Sequence, residues 1–211
     1  VFNLLTNVYQ PTRGAILLDG VNTAGKSTAQ VNAMGIARTF QNIRLFSNMS
    51  VLDNVKVGLH NHIRENFFSS VTHAFGYAKA ERAADARAKE LLDVFHMADH
   101  AEEAAGSLPY GAQRRLEIVR ALATEPGILL LDEPAAGMNE QESEELCGII
   151  RDIPRNFEGI TILVIDHHMD VIMSVCDEIT VINFGKQLAT GTPAEIQKNQ
   201  AVIDAYLGVE D

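Results

Sequence analysis

The sequence predicts an α/β fold built on a mostly parallel sheet, with a helical lobe, and three observations carry that expectation. Short apolar runs without alternation, residues 128–131 (ILLL) and 161–165 (TILVI), have the character of strands buried on both faces. Helical spacing of apolar residues precedes the first run and recurs between the two, as the crossovers of a parallel sheet need. Adjacent Asp132 and Glu133 close the first run, at the carboxyl edge where open α/β sheets take their ligands.

The chain's 211 residues, 46% of them apolar, suit one domain with a sizeable core. A net charge of -11 argues against a partner held through nucleic-acid phosphates. No apolar run approaches the roughly 18 residues a membrane-spanning helix needs. Cys147 and Cys176 stand alone, without metal or redox spacing, and read as thiols of a reducing, cytosolic compartment. The first residue is Val1, and residues 1–6 (VFNLLT) read as a helix already under way, with Phe2, Leu4 and Leu5 turned to a core and Asn7 stopping it.

A turn at Pro11 to Gly14 leads into a short strand, residues 15–18, ending at Asp19 and Gly20. Residues 20–28 (GVNTAGKST) match the phosphate-loop pattern G-x-x-x-x-G-K-S/T through Gly20, Gly25, Lys26 and Ser27. Followed by a helix over 28–34, such a loop cradles phosphates with backbone amides and Lys26, and Ser27 reaches Mg²⁺. The competing reading is a chance match within a hairpin connection. Residues 36–40 form the next strand, closed by Gln41, and a helix over 51–62 follows, capped by Asn48 or Ser50.

His60, His62, Phe67, Phe68, His73, Phe75 and Tyr77 crowd an irregular stretch; lacking a carboxylate or cysteine at ligand spacing, its histidines read as solvated or packing groups. Residues 78–95 form an alanine-rich charged helix with Leu91, Leu92, Val94 and Phe95 inward. From LPYGAQRR a helix continues through Leu116, Ile118, Val119 and Leu122 until Pro126 and Gly127 end it. At the strand that follows, Asp132 and Glu133 point opposite ways by alternation: one holds Mg²⁺, the other orients or deprotonates a water. Residues 140–153 read as an amphipathic helix ended near Pro154, and 161–165 as a buried strand running into Asp166, His167 and His168. A strand and hairpin return around Gly185 and two short helices, the first opened by Thr192 and Pro193, complete the chain.

Taken together, LPYGAQRR, LLLDEP and AAGMN resemble the signature, Walker B and D-loop of ABC ATPases, in that family's order. Residues 1–20, IARTFQNIRLF and the ending GTPAEIQKNQAVIDAYLG resemble ATP-binding subunits of branched-chain amino-acid importers. The resemblance covers essentially the whole chain and implies a P-loop NTPase-like ABC ATPase core with a helical signature lobe. Residues 1–41 would then hold the first helix, a small β lobe and the Q-loop strand; 42–124 the helical lobe; 125–211 the Walker B and H-loop core and the tail. It implies ATP and Mg²⁺ as cofactors, Asp132 and Gln41 on Mg²⁺, Glu133 polarising water, and Gln41 and His167 reporting the γ-phosphate. Leu108, Pro109, Tyr110, Gly111 and Gln113 would close on the ATP of a second, identical or paralogous ATPase subunit, beside Asn139 of the D-loop. Pro109, Tyr110 and Ala112 depart from the general LSGGQ form, removing the hydroxyl that Ser would offer at 109.

By the same resemblance, transmembrane permease subunits are the other partners, met through Ile43, Arg44, Leu45 and Phe46, of which Leu45 and Phe46 read equally as core residues, and the transported amino acid is never touched. The chain would sit on the inner face of the membrane. The family places its phosphate loop well upstream of Gln41, so Gly20, Gly25, Lys26 and Ser27 are the subsidiary candidate, and the expectation is an N-terminally truncated cassette whose loop precedes Val1 and which alone binds ATP weakly or not at all. The alternatives are a non-catalytic interaction module of the same fold, a different NTPase using residues 20–28, or an ATPase of DNA repair, against which the acidic charge and the tail both count.

Overall fold

A computed structural model of the chain describes residues 1–59 and 74–207. His60, His62, Phe67, Phe68 and His73 lie outside them, as do the side chains of Phe75 and Tyr77. The elements that place the site are a parallel sheet of β3 (Ile36–Arg38), β4 (Ile128–Asp132) and β5 (Thr161–Ile165), in that order with β4 central. Upstream lie α1 (Phe2–Leu5), the antiparallel pair β1 (Leu17–Leu18) and β2 (Val21–Asn22), and α2 (Thr28–Ala33). The helical lobe comprises α3 (Val51–Leu59), α4 (Ala74–Val94) and α5 (Tyr110–Leu122).

Strand β4 is central because both its faces are apolar. Leu129, Leu130 and Leu131 are fully buried, each stabilising by about 1.5–3 kcal/mol relative to exposure. Alternation splits them: Leu129 and Leu131 join the large core shared with the helical lobe, while Leu130 packs with Phe2, Val31 and Ile36 beneath α1 and α2. Asn7 stops α1 at φ 56, as expected. Leu4, expected to face the core, is instead exposed, because a helix of one turn buries only one stripe, taken here by Phe2 with Leu5 beside it.

The helical lobe follows its periodicity, with Leu91, Leu92 and Phe95 buried. Val94 turns outward, since Phe95, four residues from Leu91 and three from Leu92, completes the inner stripe with them. Ser50 rather than Asn48 accepts the cap bond, from the Asp53 amide at 3.0 Å. Helices α3 and α5 meet at Gly58, where an added Cβ would fall onto the Arg120 carbonyl oxygen and within 2.8 Å of the Ala123 Cβ. Neither neighbour can swing away. Gly58→Ala is expected to destabilise the fold by about 3 kcal/mol and to lower the melting temperature by roughly 6–12 °C. An unshifted thermal melt followed by circular dichroism would refute this close approach.

Beyond the sheet's centre run α6 (Glu140–Asn156), α7 (Met169–Val175), the hairpin β6 (Ile179–Asn183) and β7 (Lys186–Gly191), α8 (Pro193–Ile196) and α9 (Gln200–Leu207). Two expectations are corrected here. Helix α6 passes through Pro154 to Asn156, because a proline in the last turn removes one backbone bond while Leu146, Cys147, Ile150 and Ile153 hold the helix to the core. Strand β5 is not buried on both faces: Leu163 and Ile165 are exposed, and Ile162 and Val164 alone turn to the core. The hairpin turn has positive φ at Phe184 and Gly185, matching the right-handed twist of its strands. A Thr192–Glu195 capping box opens α8.

Candidate functional site

The site forms at the carboxyl edge of β4, where the chain leaves the sheet abruptly. Glu133 adopts φ 44, a left-handed conformation that costs a non-glycine residue on the order of 1–3 kcal/mol. It is held there by its amide, which donates to the Ile165 carbonyl at 2.7 Å across β5. The kink, rather than strand alternation, sends the two carboxylates to different partners.

Glu133 gathers two of the residues named from sequence. The Gln41 Nε2 donates to its Oε2 at 2.8 Å, and the His167 Nδ1 stands 3.6 Å from its Oε1. Gln41 arrives from β3, through a backbone whose Thr39 amide bonds the Leu130 carbonyl at 2.9 Å. His167 arrives from β5, whose Ile165 is paired with Asp132. Three segments far apart in the chain thus converge on one carboxylate.

Asp132 belongs to the same edge but has a partner that the sequence reading missed. Arg38 Nη2 donates to its Oδ2 at 2.6 Å, and the same guanidinium bonds Asn3 Oδ1 at 2.7 Å. Register explains the reach: Arg38 pairs with Leu130, so β4 runs two residues past β3 and brings Asp132 over the arginine. The signal was available, since a cation closing the strand before Gln41 must end near a neighbouring strand's terminal carboxylates.

A second missed pair fixes the approach of Gln41. Arg114 and Glu117 are buried in α5 and bridge at 2.8 Å. Arg114 donates to the Phe40 carbonyl and, at 2.7 Å, to the Gln41 carbonyl; Glu117 Oε1 accepts the Arg44 amide at 3.2 Å. Their spacing, three apart among apolar residues, was the legible sign.

The LPYG stretch opens α5 with Pro109 as its N-cap and no side-chain cap, so the first amides of a thirteen-residue helix keep their donors for an outside acceptor. Leu108 is buried, and its carbonyl accepts from Gln113 Nε2 at 2.8 Å. The Tyr110 ring lies over Gly137, and Gly111 faces the Glu142 carboxylate. Asn139 spends its side chain on a capping box with Glu142 at the start of α6.

Residues 20–28 fold otherwise than a phosphate loop. Gly20 sits in the turn of the β1–β2 hairpin, β2 separates it from Gly25, and Ser27 caps α2 through Gln30. The Lys26 carbonyl accepts from Asn7 Nδ2 at 3.2 Å, tying the segment to α1. A strand leading straight into a helix, the context such a loop needs, is absent here. Lys26→Ala is accordingly expected to leave ATP affinity within twofold in a calorimetric titration; a tenfold loss would restore the loop.

Comparison with known proteins agrees with this architecture. Residues 1–136 match the ABC transporter family model, and residues 186–211 match that of the branched-chain amino acid ATP-binding cassette transporter. The high-affinity branched-chain amino acid transport ATP-binding proteins BraF of Pseudomonas aeruginosa and LivG of Escherichia coli are each 44% identical over 99% of this chain and 81% of their own length. An ATP-binding cassette of an ABC transporter solved in its ADP conformation superposes with a TM-score of 0.79 at 23% identity, covering 98% of this chain and 82% of that one, and so supports the fold. A nucleotide-free cassette superposes at 0.77 with 25% identity, over 97% and 81%. The chain belongs to the ABC transporter family, an ABC-type ATPase of the branch formed by the high-affinity branched-chain amino acid transport ATP-binding proteins.

Proposed function

We propose that this chain hydrolyses ATP to drive import of branched-chain amino acids, working on the inner face of a membrane with permease subunits and a second ATPase subunit. The convergence of Gln41, Glu133 and His167 carries the reading, because it places a carboxylate base between two groups able to sense a terminal phosphate. Oxygen donors at a strand end suit Mg²⁺; Arg38 takes Asp132 Oδ2 at 2.6 Å, which leaves Oδ1 for an ion. Asp132, with the Gln41 side-chain oxygen, would hold that ion. Bound there, Mg²⁺ neutralises charge developing on the phosphates.

The chain's own residues do the rest. Glu133 takes the proton of the attacking water, and Gln41 fixes the carboxylate's orientation. His167 stands 3.6 Å from Glu133 at the strand edge, where it would report whether a terminal phosphate is present. Within the signature stretch 108–113, the uncapped start of α5 offers the amides of residues 110–112 to the partner subunit's nucleotide, and Asn139 holds the neighbouring turn beside it. Closure of two such subunits on two nucleotides then moves the permease. No helix among the described residues is long and apolar enough to cross a membrane, in keeping with that dependence on separate permease subunits.

Reconstitution with permease subunits in proteoliposomes tests the reading. ATP supplied to the assembled complex should drive uptake of labelled leucine, isoleucine or valine, and Asp132→Asn should diminish it, most strongly at limiting Mg²⁺. Uptake insensitive to ATP, or undiminished in Asp132→Asn, would overturn it.

A further inference from the structure

The loop between β5 and α7 holds a cluster that the hydrolytic reading uses only in part. Asp166, His167 and His168 each present one ligand atom, and these atoms lie within 4.8 Å of one another. We propose that they form a binding site for a divalent transition-metal ion of the Zn²⁺ type, separate from the Mg²⁺ position at Asp132. The Asp166 carboxylate is the anchor. Its side chain is wholly buried; Oδ1 accepts from the His168 amide at 2.9 Å and lies 2.7 Å from the His168 Nδ1. Its Oδ2 is buried with no hydrogen-bond partner. A buried carboxylate oxygen left unpaired carries a desolvation cost that a protein ordinarily offsets with a partner. A cation held across both carboxylate oxygens would give Oδ2 that partner while also meeting Oδ1.

The distances suit such an ion. Zn²⁺ binds imidazole nitrogen and carboxylate oxygen at about 2.0–2.2 Å in tetrahedral geometry, which sets ligand atoms roughly 3.3–3.5 Å apart. Around Asp166 Oδ1 the two imidazole nitrogens stand at 2.7 Å (His168) and 3.8 Å (His167), straddling that separation. The His167 and His168 side chains are 65% and 48% exposed, with ring centroids 4.0 Å apart, so each can rotate to offer either nitrogen. Water can complete the shell, since Glu133 Oε1 approaches His167 Nδ1 at 3.6 Å but stands outside the cluster of three. Two imidazoles with one carboxylate select borderline ions over Mg²⁺, which takes oxygen ligands.

On the reading of His167 given above, ligation would hold its ring away from a terminal phosphate, making the ion a brake on turnover. Binding itself does not depend on that reading, and calorimetry measures binding alone. The test titrates Zn²⁺ into the full chain in excess Mg²⁺. One equivalent should bind, and its affinity should fall at least tenfold in His168→Asn and in Asp166→Asn. Because Asp166 is buried, Asp166→Asn can fail to fold; His168 is exposed, so His168→Asn with an unchanged melting temperature supplies the decisive comparison. Failure of the native chain to bind, or undiminished affinity in folded His168→Asn, would overturn the proposal.

Discussion

Replacing Arg114 by alanine is expected to destabilise the protein by about 3–5 kcal/mol, the scale set by breaking a buried ion pair from one side. Glu117 would remain buried with its charge uncompensated, and the Phe40 and Gln41 carbonyls would lose their donors. The pair is more than an internal bridge, because both members hold the backbone that delivers Gln41. Joint replacement of a buried ion pair by apolar residues of similar volume is often neutral. Here the double variant Arg114→Met/Glu117→Leu should recover only part of the loss, since the Phe40 and Gln41 carbonyls and the Arg44 amide stay unpaired. Urea denaturation of the single and double variants measures both effects. Full recovery in the double variant would show that the Gln41 approach does not depend on α5.

This pair also marks where the sequence stops being legible. The parallel sheet and the helix after LPYG follow from apolar runs, because the side chains that define them repeat at the period of their own element, while the convergence on Glu133 was expected only through the resemblance to ABC ATPases. Arg38, Arg114 and Glu117 do not. Their burial is set by segments 73 to 94 residues away, and the only local signs were a cation closing a strand and an ion pair three apart among apolar residues. The exposed face of β5 was misread for a related reason: TILVI is apolar throughout, and only its position at the sheet's edge tells which residues lack cover. The match at residues 20–28 was kept subsidiary for its spacing from Gln41, and the hairpin that interrupts it is the alternative the sequence also offered.

Glu133→Gln is expected to reduce ATP turnover by a factor on the order of 10²–10⁴, the usual contribution of a positioned general base, while stability hardly changes. The substitution keeps an oxygen to accept from Gln41 Nε2 and keeps the backbone bond to Ile165, so the local fold has no reason to move. What disappears is the capacity to take a proton. Asp132→Asn provides the contrast: it weakens a partly buried, charge-assisted bond to Arg38, so it should cost about 1–3 kcal/mol of stability and raise the Mg²⁺ concentration needed for half-maximal turnover. Measuring turnover against Mg²⁺ in the assembled transporter, beside thermal melts of both variants, separates the two roles. If the carboxylates have different tasks, Glu133→Gln changes the maximum rate at unchanged Mg²⁺ dependence, and Asp132→Asn shifts the Mg²⁺ dependence itself. A Glu133→Gln protein turning over at the native rate would reduce the Gln41–Glu133–His167 cluster to a structural clasp at the end of a strand, and the chemistry would have to lie elsewhere along that edge.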